Sequence, residues 1–137
     1  MNTEIEALIV KSFFVKRVQD RVLYELSNPQ KRKDALHRLS SYEKFLERRI
    51  MKEIPKPNSN YLNIETLLKQ QGASDECYAI SWCEDIDGKQ IPLKTALKRA
   101  VGLGMPSLVF CFPHKLGYFE GEQEYGPPER YILLKNN

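Results

Sequence analysis

Three carboxylates fall close together at Glu84, Asp85 and Asp87, and four more, Glu120, Glu122, Glu124 and Glu129, occupy a stretch rich in Gly and Pro. Such clusters are the raw material of Mg²⁺ binding and of acid–base catalysis. Glu84, Asp85, Asp87 and Glu120, with His114 nearby, are therefore the candidate catalytic set of a small hydrolase or metal-dependent nuclease. Composition offers a plainer reading: Asp85 to Gly88 is ordinary turn chemistry, and Glu120 to Glu129 reads as a polar loop. Neither run matches an EF-hand, whose ligands alternate around a central glycine. Cys111 and His114 have the spacing of metal sites and nucleophile pairs, but Pro113 intervenes and Cys111 ends an apolar run, where a thiol behaves as a small hydrophobe. The chain holds no CxxC, HxxxH or HExxH pattern. The expectation is no metal and no cofactor. Gly102-Leu103-Gly104 follows a helix instead of opening one, the wrong side for a phosphate-binding loop.

Cations supply the second chemistry. Lys31, Arg32, Lys33 and Arg38 gather near the start of a helix, where the dipole does not favour them. They are the candidate partner-binding residues, suited to phosphates or to an acidic protein. Arg48, Arg49 and Lys52 fall at a predicted helix end, where cations are favoured by the dipole alone. Tyr125, in the Gly/Pro loop, is the best candidate for an exposed recognition aromatic.

The elements that position these groups follow from periodicity. Thr3 and Glu6 have capping-box spacing, and Ile5, Leu8, Ile9, Val15, Val18, Val22 and Leu26 recur at mostly helical intervals, with Phe13-Phe14 marking a bend. Asn28-Pro29 opens a second helix through Leu39. Ser40 and Glu43 open a third, ending before Pro55. After the break at Pro55–Asn60 the rhythm changes. Residues 64–71 form a short helix stopped by Gly72. Cys77–Cys83 alternates as a strand, and Asp87-Gly88 is a turn. Pro92 opens a helix with Leu93, Ala96, Leu97 and Ala100 on its inner stripe. Leu108–Phe112 is a buried central strand, and strands from Tyr118 and over Arg130–Lys135 complete the set. No internal repeat is evident. The reading is an α+β single domain over 1–137: a basic helical subregion 1–54, a linker 55–60, and a subregion 61–137. The last carries a mixed sheet of about four strands with one strand–helix–strand crossover.

Length and composition set the outer bounds. The chain has 137 residues, 42% hydrophobic and 28% charged, enough for one core. Three cysteines at wide spacing make a poor disulfide framework and suit a reducing compartment. No run is apolar and long enough for a membrane span, and the polar, acidic start is not a secretory leader. A cytoplasmic location is expected. Residues 1–60 hold 13 Lys/Arg against 8 Asp/Glu, and residues 61–137 hold 8 against 10. The functional expectation is a binding or regulatory protein presenting basic helices to an acidic partner, protein or nucleic acid. The alternatives are the hydrolase or nuclease above, and an oligomeric structural or immunity-type protein that self-associates through an apolar helix face.

Overall fold

The computed structural model describes residues 1–56, 59–113 and 115–135. The chain is α+β, with helices on both faces of a six-stranded sheet. In chain order the elements are α1 (Thr3–Phe13), a 3₁₀ turn (Lys16–Val18), α2 (Gln19–Ser27), α3 (Arg32–Ser40) and α4 (Tyr42–Phe45). A second 3₁₀ turn (Arg48–Ile50), β1 (Met51–Glu53), α5 (Tyr61–Gln70), β2 (Glu76–Ser81) and β3 (Lys89–Pro92) follow. The chain continues through α6 (Leu93–Ala100), β4 (Ser107–Cys111), β5 (Leu116–Glu120) and β6 (Arg130–Leu134). Among the described residues no helix is long and apolar enough to cross a membrane.

The sheet order is β1-β6-β5-β4-β2-β3, and every neighbouring pair is antiparallel. This corrects the expected mixed sheet of about four strands. The physical reason lies at the Asp87-Gly88 turn. Gly88 sits at φ 71°, a conformation that costs glycine nothing, and its N–H donates to Ala79 O. The turn folds β3 back on β2, so α6 leaves from the end of β3. Strands β3 and β4 then both run antiparallel to β2. They are parallel to one another but separated by it. The crossover is split, and its first strand is β3, not β2.

The helical boundaries shift for local reasons. Asn2, not Thr3, caps α1, its Oδ1 accepting from Ile5 N–H at 3.0 Å. The bend at Phe13-Phe14 is a full break before the first 3₁₀ turn. Asn28 folds a turn, accepting from Gln30 N–H on its side chain and from Lys31 N–H on its carbonyl, so α3 begins only at Arg32. The third helix is a single turn, α4; the chain then turns through 48–50 and pairs with β6 as an edge strand.

Alternation along the strands sorts side chains to two cores. Tyr78, Ile80, Leu108, Phe110, Phe119 and Leu133 face the α1–α4 layer. Cys77, Ala79, Val109, Cys111, Tyr118 and Ile132 face α5 and α6. The run Leu108–Phe110 is at most 1% exposed, as a central strand covered on both faces must be. α6 presents Leu93, Ala96, Leu97 and Ala100 inward. At Gly117 an added Cβ would lie 2.9 Å from Val109 O and 3.2 Å from the Phe13 ring, so α1 can seat its last aromatic only where β5 lacks a side chain.

Candidate functional site

The sequence-level candidates separate into distinct places. Arg32, expected at a contact surface, is 6% exposed. All five of its N–H donors are used. Nε and Nη2 reach Asp87 at 2.8 and 3.1 Å, Nη1 and Nη2 reach Glu6 at 2.9 and 2.7 Å, and Nη1 also donates to Leu26 O at 3.0 Å. Tyr78 OH donates to Glu6 at 2.7 Å, and Asn2 N–H donates back to Tyr78 OH. Burial works against the Arg32 charge, but the bonds to Glu6 and Asp87 overcome it and raise the guanidinium above its ordinary range. Burial likewise pushes the Tyr78 hydroxyl up. The node joins α1, α3, β2 and the β2–β3 turn, and Arg32 has no donor left for a partner.

Arg38 is similarly engaged, holding both Glu25 oxygens at 2.8 Å while Phe45 lies beneath its guanidinium. Lys31 and Lys33 are exposed. The four cations adjacent in sequence thus divide into two that tie helices together and two that face solvent.

The carboxylates divide as well. Asp87 belongs to the Arg32 node. Glu120, 0% exposed, accepts from Tyr118 OH at 2.6 Å, Arg130 Nε at 2.9 Å and Gly102 N–H at 2.8 Å. It continues a row of buried polar residues across the sheet, Ser81, Ser107, Glu120 and Arg130, in which the two serine hydroxyls bond at 2.7 Å. Burial, followed by the charge of Glu120, raises the Tyr118 hydroxyl. This row lies on the α5–α6 face, and the Arg32 node lies on the other. Glu84 and Asp85 are exposed, and Asp85 pairs with Arg99 at 3.5 Å. Asp87 and Glu120 therefore lie on opposite faces of the sheet, each bound to its own arginine. His114 lies outside the described residues. Among the described residues, no three His, Cys, Asp or Glu side chains come together as a metal would require. Cys77 and Cys111 are fully buried opposite one another; burial pushes the Cys77 thiol up to about 12 and raises that of Cys111 too.

What the structure does assemble is a cationic groove of about 560 Å³. It forms where two stretches of chain run antiparallel. Phe14 and Leu46 make an isolated bridge, Val15 N–H donates to Phe45 O and Glu47 N–H donates to Phe13 O, both at 2.8 Å. Each stretch then winds into a 3₁₀ turn, with Val18 N–H to Val15 O and Ile50 N–H to Glu47 O both at 3.2 Å. The two halves are local repeats. Phe13-Phe14-Val15-Lys16-Arg17-Val18 and Phe45-Leu46-Glu47-Arg48-Arg49-Ile50 occupy equivalent places about a local two-fold axis. Each half follows a helical segment that ends in an aromatic, Phe13 buried and Phe45 half-buried, and carries a basic pair outside: Lys16, Arg17, Arg48 and Arg49 all stand exposed.

The groove runs from this pair of turns to the end of β6. Its rim carries Lys11, Lys16, Arg49 and Lys135 against one carboxylate, Glu47. Its floor is apolar, from Phe14, Ile50 and Leu134. Glu47 pairs with Arg49 at 3.4 Å, whereas Lys11 and Lys16 have no ion pair among the described residues. Ser12 also lines the groove. It is 3% exposed, and its hydroxyl has no hydrogen-bond partner among the described residues. A buried polar group left so costs about 1–3 kcal/mol. Sequence reasoning missed this site because its residues come from three separated segments. The signal that could have found it was the repeated aromatic–apolar–x–basic–basic–apolar hexapeptide.

The class so defined is a three-layer α+β protein, its antiparallel sheet covered by helices on both faces, with a cationic groove at one corner. No family model matches the chain, and neither the curated proteins nor the solved structures searched contain a match.

Proposed function

We propose that this protein is a binding module that captures an acidic segment of a partner protein in the groove between the paired 3₁₀ turns and the end of β6. One observation carries the reading: four cations bracket an apolar floor in a single groove with one carboxylate against them. A segment mixing carboxylates with apolar side chains would satisfy both parts. The expectation of an acidic partner is kept, but its seat moves from the α3 cluster to the turns. Protein is favoured over nucleic acid because single-stranded chains are held by exposed aromatics on which bases stack, and the ring in this groove, Phe14, is 4% exposed.

The test is fluorescence anisotropy with a labelled peptide alternating Glu and Tyr, beside a labelled oligothymidine, at about 50 and about 300 mM salt. Micromolar peptide binding is expected, weakened at least about tenfold by Lys11→Glu/Lys16→Glu and clearly by salt. Absence of peptide binding at low salt, or indifference to the charge reversal in a folded variant, overturns the reading. Tighter, salt-steep binding of the oligonucleotide reassigns the groove to nucleic acid.

A further inference from the structure

The end of the molecule opposite the groove carries its chemical complement. Strand β6 runs from Arg130 to Leu134, about 14 Å at about 3.4 Å per residue. Leu134 and Lys135 line the cationic groove at one end. Beyond Arg130, at the other end, the loop 121–129 presents Glu122, Glu124 and Glu129 to a cleft shared with Glu43, where Lys56 is the one cation. Tyr125, at the tip of this loop, is 95% exposed. The loop is nonetheless built. Gly121 N–H donates to Glu129 O, Gln123 N–H donates to Gly104 O, and Gln123 Nε2 donates to Gly126 O, with Pro127 and Pro128 following. A large aromatic held out in water on an ordered, acidic loop bears the mark of a contact residue. Among the described residues Glu122 and Glu124 have no ion pair.

We propose that a second copy of this chain occupies the groove through this loop, Tyr125 lying against the half-buried Ile50 and Leu134 and Glu122 and Glu124 meeting Lys11, Lys16 and Lys135. Groove and loop sit at opposite ends of one strand. A two-fold axis near the middle of β6 and its neighbour β1 therefore brings both complementary pairs together at once, and the assembly closes as a dimer instead of propagating as a filament. The acidic segment of the preceding section is then supplied by the chain itself, and an external acidic partner would compete with the second copy. This inference rests on the groove reading.

The experiment is sedimentation velocity of the full chain across about 10–500 μM, near 50 and near 500 mM salt. A dimer is expected at low salt, weakened by high salt and at least about tenfold by Tyr125→Ala. Two charge-reversed variants, Lys11→Glu/Lys16→Glu and Glu122→Lys/Glu124→Lys, are each expected to stay monomeric. Mixed, they should form a one-to-one dimer, because each acidic groove then meets a basic loop and each basic groove an acidic loop. Recovery on mixing cannot come from misfolded variants. A monomer at every concentration in low salt overturns the proposal, as does self-association indifferent to Tyr125→Ala and to both reversals. Should the acidic peptide bind while no dimer forms, only the self-association fails; should neither occur, the groove reading falls too.

Discussion

Replacing Arg32 by Met tests whether this cation is an internal strut or a contact residue. The substitution keeps the aliphatic stem but removes five donors. Glu6, 2% exposed, would lose two bonds, Asp87 two, and Leu26 O one. Breaking a buried pair while leaving the opposite charge in place costs about 3–5 kcal/mol, a large share of the roughly 5–15 kcal/mol that holds a domain together. At about 2–4 °C per kcal/mol for a chain near this size, the melting temperature should fall by about 6–20 °C. Trp82, the one tryptophan, lies next to β2 and packs edge-on to His37, so its fluorescence in urea titrations reports the unfolding. Arg32→Lys keeps the charge but not the fork, and should recover less than half of the loss. Adding Glu6→Gln to Arg32→Met removes one orphaned charge, so the pair should lose less than the two single losses combined, with a coupling of about 1 kcal/mol or more. A loss below about 1 kcal/mol for Arg32→Met, with peptide or partner binding abolished instead, would refute the strut and restore Arg32 to a surface role.

Two further outcomes follow from the packing and the pairs. Gly117→Ala drives a methyl to 2.9 Å from Val109 O and against the Phe13 ring, so a loss of about 1–3 kcal/mol is expected in the same titration; unchanged or raised stability would show that α1 does not seat on β5 as described. Hydrogen bonds from Arg38 hold the Glu25 carboxyl below its ordinary value, against burial that pushes it up. A carboxyl lowered in the folded state contributes stability above its unfolded pKa and loses it as pH falls through the folded value. The gap between wild type and Glu25→Gln, about 1 kcal/mol after screening at the quarter-exposed Arg38, should therefore be widest near neutrality and close as the pH falls below the ordinary Glu range. A gap that is constant or widens in acid contradicts the assignment.

Elements whose own residues decide them were legible in the sequence. The apolar run at Leu108–Phe112 reads naturally as a covered strand, and β4, shifted one residue earlier to Ser107–Cys111, is that strand. The Leu93–Ala96–Leu97–Ala100 stripe behind Pro92 could only be an inward helix face, and α6 is that helix. Elements that others decide were not. β1 has three residues and β3 four, with Ile91 the lone large aliphatic in β3; they exist because β6 and β2 offer ladder bonds, which local pattern does not record. Without β3 the direction of β4 came out reversed, and the sheet with it. Arg32 shows the same limit in charge. Its neighbours Lys31 and Lys33 face water as composition suggests, but the helix turns Arg32 inward to Glu6, 26 residues earlier, and to Asp87, 55 residues later. The acidic residues show it too: Asp87 lies in the β2–β3 turn and is drawn to Arg32, while Glu120 ends β5 and turns to Arg130 on the other face of the sheet. The groove was half visible, as a repeated hexapeptide too short to stand out.

The facing thiols give the molecule an internal gauge of its own registry. Backbone bonds from Phe112 N–H to Glu76 O and from Trp82 N–H to Pro106 O place the ladder bonds at even positions of β2. Cys77 and Cys111 consequently form a non-bonded pair, where opposing side chains stand closest. While α5 and α6 cover them, a water-borne oxidant has no route in. If those helices lift while the two strands stay zipped, the sulfurs become joinable; a slip by one residue would send one of them to the far side. Oxidative cross-linking in partly denatured samples thus separates loss of the helical cover from loss of the strand alignment, with no label added.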